Sequence, residues 1–242
     1  MGAKDPLDTE VRYVAADGEA VTTSLRLLDL ERASTALPVR RLRSHARQRH
    51  YCGRFWSATT GGHVPYESRL ELDRLWLADF DPDVRWIAAQ PMWFAGPDDG
   101  TTRRHAPDLL LTDQRGSMTV VDVKPAQFVK RSQVQAVFRW TARLCQAKGV
   151  GYQVWSGADP VALANIRGFA VARRGIQPSE LAAAAAAART GMKVGQVEDL
   201  LAACGHPRGR LAVLGLLWRG DWTVDMTKPV DGTATISIRG GG

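Results

Sequence analysis

Two aspartates and a lysine stand nearest to a recognisable chemistry. Pro107-Asp108 opens the apolar run Leu109-Leu110-Leu111, and Val120-Val121-Asp122-Val123-Lys124 follows after a turn. Side chains of a strand alternate between its two faces. Asp122 and Lys124 therefore share one face, and Val121 and Val123 take the other. Asp113-Gln114-Arg115-Gly116 suits a hairpin turn centred near residue 115. Asp108 and Asp122 are equidistant from that centre, so they are expected side by side on adjacent strands. Carboxylates so placed repel unless a proton or cation joins them. Hard oxygen ligands suit magnesium, with manganese as its substitute; magnesium keeps several waters and takes one or two carboxylates. Such an ion lowers the pKa of a bound water and shields charge on a scissile phosphate. Lys124 is then placed to orient or deprotonate that water, or to stabilise the transition state. The competing reading is a surface hairpin whose Asp122–Lys124 pair is worth little. Val120, Val121 and Val123 around Asp122 argue instead for a central strand.

The elements that must hold these residues follow from periodicity. Leu70, Leu72, Leu75, Trp76 and Leu77 give a helical pattern over 65–80, after Pro65 and before Asp81-Pro82-Asp83. Glu67 and Glu71, four apart, share one face of that helix. Glu67 is expected in the first turn, facing the sheet as a third metal acid, and Glu71 on the solvated face. Strands are expected at 11–14, 21–28, 84–87, 91–94, 109–111, 118–123 and 152–155. Helices are expected at 133–147, closed by Gly149, and at 159–166. Residues 95–102 read as a Gly/Pro/Asp loop. Gln133 and Gln135 open the helix after Lys124. An exposed helix start is the plainer reading of both, an accessory contact to the site the sharper one. His63 and His105 flank the motifs, each read as a structural histidine in preference to a metal ligand.

After Arg173-Arg174-Gly175 the character changes. Helices are expected from a Ser179 cap to Arg189, over 194–203 and over 210–218. Candidate strands at 222–225 and 233–238 flank the turn at Asp231-Gly232. Three helices and then a hairpin is the order of a winged-helix module. Its third helix, Leu211 to Trp218, is too apolar to read base edges, which points to core packing and a protein-binding role. The expected organisation is an N-terminal segment of strands and basic residues over 1–60, packing on a core of 61–175, and a C-terminal module of 176–242.

The chain has 242 residues, 45% of them hydrophobic, and a formal net charge of +7. That is enough for one sizeable core with a smaller second domain. A basic balance favours a polyanionic partner, nucleic acid first. Arg40, Arg41, Arg43, Arg47, Arg49 and Arg54 lie in a stretch without an acid. Arg41, Arg43, Arg47 and Arg49, with Lys130 and Arg131, are candidate DNA contacts of the kind that fix position without reading sequence; a solvated loop is the alternative. Cys52, Cys145 and Cys204 form no CxxC pair, the pattern of reduced thiols in a cytoplasmic protein. Met1 to Glu10 is polar, so no signal peptide is expected, and no apolar run approaches the ~20 residues of a membrane helix.

The segment Gly61-Gly62-His63-Val64-Pro65-Tyr66-Glu67-Ser68-Arg69-Leu70-Glu71, then Asp81-Pro82-Asp83-Val84, Gln90-Pro91, His105-Ala106-Pro107-Asp108 and Val121-Asp122-Val123-Lys124, resembles the TnsA endonuclease subunit of heteromeric DNA transposases in content and order. The likeness covers about residues 50–175, and less distinctively the tail. It implies an α/β fold with a restriction-endonuclease-like core, a mixed sheet flanked by helices, of the PD-(D/E)xK type. It implies catalytic positions at Glu67, Asp108, Asp122 and Lys124, with magnesium on the three acids. Family members often have Gln where Asp122 stands; aspartate is the wider superfamily pattern. The resemblance further implies hydrolysis of phosphodiester bonds at the 5′ ends of a transposon, with double-stranded DNA, a TnsB-like transposase and a TnsC-like ATPase as partners, on the bacterial nucleoid when DNA is bound. Two other readings stand beside it: a stand-alone restriction or repair nuclease on the same fold, and a catalytically silent DNA-binding assembly subunit.

Overall fold

Leu109-Leu110-Leu111 and Val120-Val121 have no polar face, so they require a strand pair covered on both sides. All five residues are buried in the computed structural model, which describes residues 5–40 and 51–239. In chain order the strands and helices are β1 (Glu10–Val14), β2 (Ala20–Ser24), α1 (Leu30–Ser34), β3 (Gly53–Ser57), β4 (Gly62–Tyr66), α2 (Arg69–Phe80), β5 (Val84–Ala89), β6 (Trp93–Asp98), β7 (Thr101–His105), β8 (Leu109–Asp113), β9 (Met118–Val123), α3 (Ala126–Val129), α4 (Ser132–Lys148), β10 (Gly151–Trp155), α5 (Pro160–Phe169), α6 (Pro178–Ala187), α7 (Val194–Ala203), α8 (Gly209–Trp218), β11 (Trp222–Thr223) and β12 (Ser237–Ile238). The fold is mixed α/β. No described helix is long and apolar enough to cross a membrane.

The chain divides into two compact units, Met1–Asp79 with Asp83–Gly157, and Phe80–Pro82 with Ala158–Gly242. The first carries a mixed sheet in the order β10-β9-β8-β5. β8 is antiparallel to both β5 and β9, and β10 runs parallel to β9. A parallel neighbour needs a long crossover, and α4 supplies it. Gly149, at φ 75°, ends that helix, since a left-handed C-cap suits a residue without a Cβ. The sheet's elements follow one another as α2, β5, β8, β9, α4 and β10, with β6 and β7 between β5 and β8.

The pleat sorts the core into two faces. Ile87, Ala89, Leu109, Leu111 and Val121 pack with Leu75 and Ala78 of α2 and with Phe55 and Val64 of the β3–β4 hairpin. Ala88, Leu110 and Val120 pack with Trp140, Leu144 and Cys145 of α4, Val11 and Tyr13 of β1, and Phe94 of β6. A second, antiparallel sheet in the order β2-β1-β6-β7 closes this side.

Several expectations are corrected. Residues 95–102 are not a loop: β6 and β7 form a hairpin around Asp99-Gly100, at φ 44° and 82°. Asp-Gly readily takes two consecutive positive φ values, which match the strand twist. The helix of 65–80 begins only at Arg69. Ser68 Oγ accepts from Glu71 N at 3.1 Å and donates to Glu71 Oε1 at 2.8 Å, a reciprocal start signal of the S-x-x-E kind. The β3–β4 hairpin runs through residue 60, so no boundary falls there, and β1 pairs with β6 inside the same unit. The second boundary lies at Gly157–Ala158, not near 175. α5 belongs with the C-terminal helices because Leu163, Ile166 and Phe169 are apolar and buried. Its Asn165 also donates to Lys228 O at 2.8 Å and accepts from Val230 N at 2.9 Å.

In the second unit, α6 begins at Pro178 after Gln177, without a side-chain cap from Ser179. Pro needs no N–H partner at the first helical position. β11 and β12 are two residues each, shorter than expected. Lys193 adds an isolated bridge to Thr235. Residues 212–218 of α8 are all buried, as its apolar sequence requires.

Asp79 anchors the start of the β3–β4 turn. It is 5% exposed and accepts from Ser57 Oγ at 2.6 Å, Thr59 N at 2.8 Å and Ala58 N at 3.1 Å. Asp79→Ala strands these buried donors, so chemical denaturation should show a loss of about 2–3 kcal/mol. An unchanged midpoint would mean the turn holds without it.

Candidate metal and phosphate site

The hairpin between β8 and β9 sets the site's geometry. Asp113 Oδ1 accepts from Arg115 N at 2.9 Å and Ser117 N at 2.8 Å, and Gly116 sits at φ 86°. This turn pairs Leu109 with Val121 and Leu110 with Val120. One step beyond, Asp108 stands opposite Asp122. Asp108 Oδ2 accepts from Val123 N at 2.7 Å, and Gln90 N donates to Asp108 O at 2.8 Å. Asp122 in turn pairs with Val154 of β10. Gln90, Asp108, Asp122 and Val154 thus form a row across one end of the sheet. Lys124 N donates to Trp155 O at 2.9 Å. The β9–β10 ladder therefore reaches Lys124, and so does the alternation that puts it on the face of Asp122.

Electrostatics single out Asp108. Its pKa is pushed up to about 7, first by burial and then by the negative charge of Glu71, with Asp122 adding to it. The Val123 N–H and the charge of Arg40 pull the other way. Glu71 is itself raised, chiefly by burial. Glu71 is therefore not the solvated residue expected. It caps the start of α2, with Oε2 accepting from Glu67 N at 2.8 Å. Glu67, expected in the first helical turn, precedes the helix. It lies 3.6 Å from Arg40, and it is Glu71 whose charge acts on Asp108. The S-x-x-E signal from Ser68 to Glu71 would have placed both correctly.

Asp122 is 2% exposed. Tyr152 Oη donates to its Oδ2 at 2.6 Å, and His105 Nε2 lies 2.8 Å from its Oδ1. His105 thus has the structural partner expected of it, while His63 is exposed on β4. Burial and the charge of Asp122 push the Cys145 thiol up to about 12 and raise the Tyr152 phenol as well. Neither group ionises near neutrality.

Arg40, expected only as part of the basic stretch, and Gln90, expected only within the resemblance, also enter the site. Val39 N donates to Gln90 O at 2.9 Å, which docks the chain so that Arg40 stands among the acids. Its guanidinium lies 4.8 Å from the Trp93 ring centre. Gln90 has φ 45° and is 2% exposed, a strained conformation for a residue with a side chain. The Gln90-Pro91 dipeptide was the only trace of it in the sequence.

The remaining candidates divide. Arg41, Arg43, Arg47 and Arg49 lie outside the described residues. Lys130 is exposed. Arg131 is exposed and stacks on Phe128, 4.3 Å from the ring centre. Gln133 is exposed at the start of α4, whereas Gln135 Nε2 donates to Val129 O at 2.7 Å and closes α3.

No three His, Cys, Asp or Glu side chains among the described residues are already gathered as a metal cage. Magnesium does not need one: one or two carboxylates and retained waters suffice. Asp108 and Glu71, both half-buried, with the charge of Glu71 raising Asp108, are a donor set that a divalent cation would relieve. No family model and no curated protein matches the chain.

The pKa shift has a stability consequence. Below about pH 4 Asp108 is neutral in folded and unfolded chains alike. Between there and about 7 the unfolded carboxyl loses its proton first, so stability falls as pH rises. Above that the penalty is complete. Asp108→Asn, which keeps an acceptor for Val123 N–H, should raise Tm at about pH 8 by about 3–6 °C and leave it nearly unchanged near pH 4. Thermal melts across that range check the sign.

Proposed function

We propose that the chain is a magnesium-dependent DNA endonuclease of the PD-(D/E)xK type, acting as the 5′-end-cleaving subunit of a heteromeric transposase. The observation that carries this reading is the β8–β9 register, which sets Asp108 opposite Asp122 with Lys124 two residues on. The order α2, β5, β8, β9, α4, β10 suits a restriction-endonuclease-like core, and the TnsA resemblance supplies the transposon context. Asp108 and Glu71 are the residues that would hold the ion, with Asp122 close by; Glu71 replaces Glu67 in this role.

A bound magnesium supplies an acidified water and charge neutralisation at the phosphate. The protein's own groups do the rest. Lys124 orients the attacking water or stabilises charge building on the phosphoryl oxygens. Arg40, held on the Trp93 ring, offers a second cation to that phosphate. One water is consumed and one phosphodiester bond breaks, leaving a phosphate and a hydroxyl. The basic run that begins at Arg40 and the exposed Lys130 and Arg131 would grip the duplex backbone. In the second unit, α6, α7 and α8 followed by the short β11–β12 pair suit a winged-helix module. Its third helix is buried, which favours contact with a TnsC-like ATPase over base reading. A TnsB-like transposase would cut the other strand. These partners place the protein in the cytoplasm on DNA.

Nicking of supercoiled plasmid in magnesium or manganese tests the reading. Wild type should nick, and Asp108→Ala and Lys124→Ala should each lose at least about 100-fold. An Asp108→Ala protein that nicks like wild type would sink the assignment.

A further inference from the structure

Asp122 interrupts the valines of its strand, Val120, Val121 and Val123. It is 2% exposed, between Val121 and Val123 in the strand next to β10. A carboxylate there is tolerated only when its oxygens are hydrogen-bonded. The two groups that do this come from different parts of the chain. Tyr152 stands on β10, paired with Val120, and its Oη donates to Oδ2 at 2.6 Å. His105 ends β7, with Nε2 2.8 Å from Oδ1. His105 is also three residues from Asp108, through Ala106 and Pro107, both buried. One short, packed segment therefore brings an imidazole to Asp122 and a carboxylate to the cluster that Glu71 completes.

Each carboxylate oxygen keeps a second lone pair after one hydrogen bond. Asp122 can thus be gripped by His105 and Tyr152 and still face an ion or its waters. Partners of this kind fix a ligand's orientation, and their loss commonly weakens metal binding by 10–100-fold. We infer that Tyr152 and His105 are positioning residues that act through Asp122 to set the divalent-cation affinity of the Asp108–Glu71 site. This rests on the nuclease reading above, since it presupposes that the acids take an ion. Simple core packing by the Tyr152 ring is the alternative, and it would show in stability and not in affinity.

Calorimetric titration of manganese into the full chain decides between them, with thermal melts on every variant. Tyr152→Phe keeps the ring and removes only the donor; it should weaken manganese binding about tenfold or more. In an Asp122→Asn background the same change should alter affinity less than about twofold, because its route is gone. His105→Gln retains an N–H donor and should bind manganese more tightly than His105→Ala. If Tyr152→Phe binds manganese as wild type does while Asp108→Asn loses it, the ion site stands and the positioning role is wrong. Equal losses from Tyr152→Phe with and without Asp122 also overturn the role, since Tyr152 would then act by another path. If Asp108→Asn binds manganese like wild type, or wild type takes none, the nuclease reading falls and this inference falls with it.

Discussion

One tight turn governs the far end of the sheet. Asp113 accepts from the N–H groups of Arg115 and Ser117, and Gly116 takes the left-handed conformation that lets the chain reverse. A strand pair slipped by one residue would send every side chain to the opposite face. Both faces here are packed, so the slip would bury the wrong residues throughout. The register that results is what brings Asp108 against Asp122 and carries Lys124 onto the same face as Asp122. The polar row follows because the Asp113–Gly116 turn and the two packed faces together fix the pairing.

That row is electrostatically expensive. Asp108, Glu71 and Asp122 are crowded at the end of a buried sheet; burial is the first cause that raises Asp108 and Glu71, and the charges of Glu71 and Asp122 raise Asp108 further. The chain offsets this locally: Val123 N–H and Arg40 for Asp108, Ser68 and Glu67 N–H for Glu71, Tyr152 and His105 for Asp122. Structural salt bridges elsewhere are resolved differently. Asp98, also buried, has Arg103 and Arg143 to itself. The contrast separates an acid that is neutralised from a group of acids that is only partly so, and perturbed groups of the second kind tend to mark functional sites.

The second unit has another economy. Its most apolar helix, α8, is buried from Ala212 to Trp218, and Asn165 of α5 ties down the segment between Met226 and Val230 through three backbone groups. Few polar side chains are left over for groove reading by α8. Its chemistry, unlike that of the first unit, is that of packing.

The sequence by itself determined the β8–β9 hairpin, its register, the helix that returns to β10 and the three C-terminal helices. Each is set by local rules: alternation, turn residues and a terminating glycine. It also carried two signals that went unread, Asp99-Gly100 as a hairpin turn and Ser68 to Glu71 as a helix start. The second is why Glu67 and Glu71 exchange places: a shift of the helix start decides which glutamate rides on the helix. Only the tertiary structure decided the rest. His105, Tyr152 and Asp122 are far apart in the chain, Arg40 reaches the acids through the docking of Val39 on Gln90, and α5 joins the second unit by burial. Nothing in local spacing encodes these, because they depend on which surfaces remain to be covered once the strands have paired.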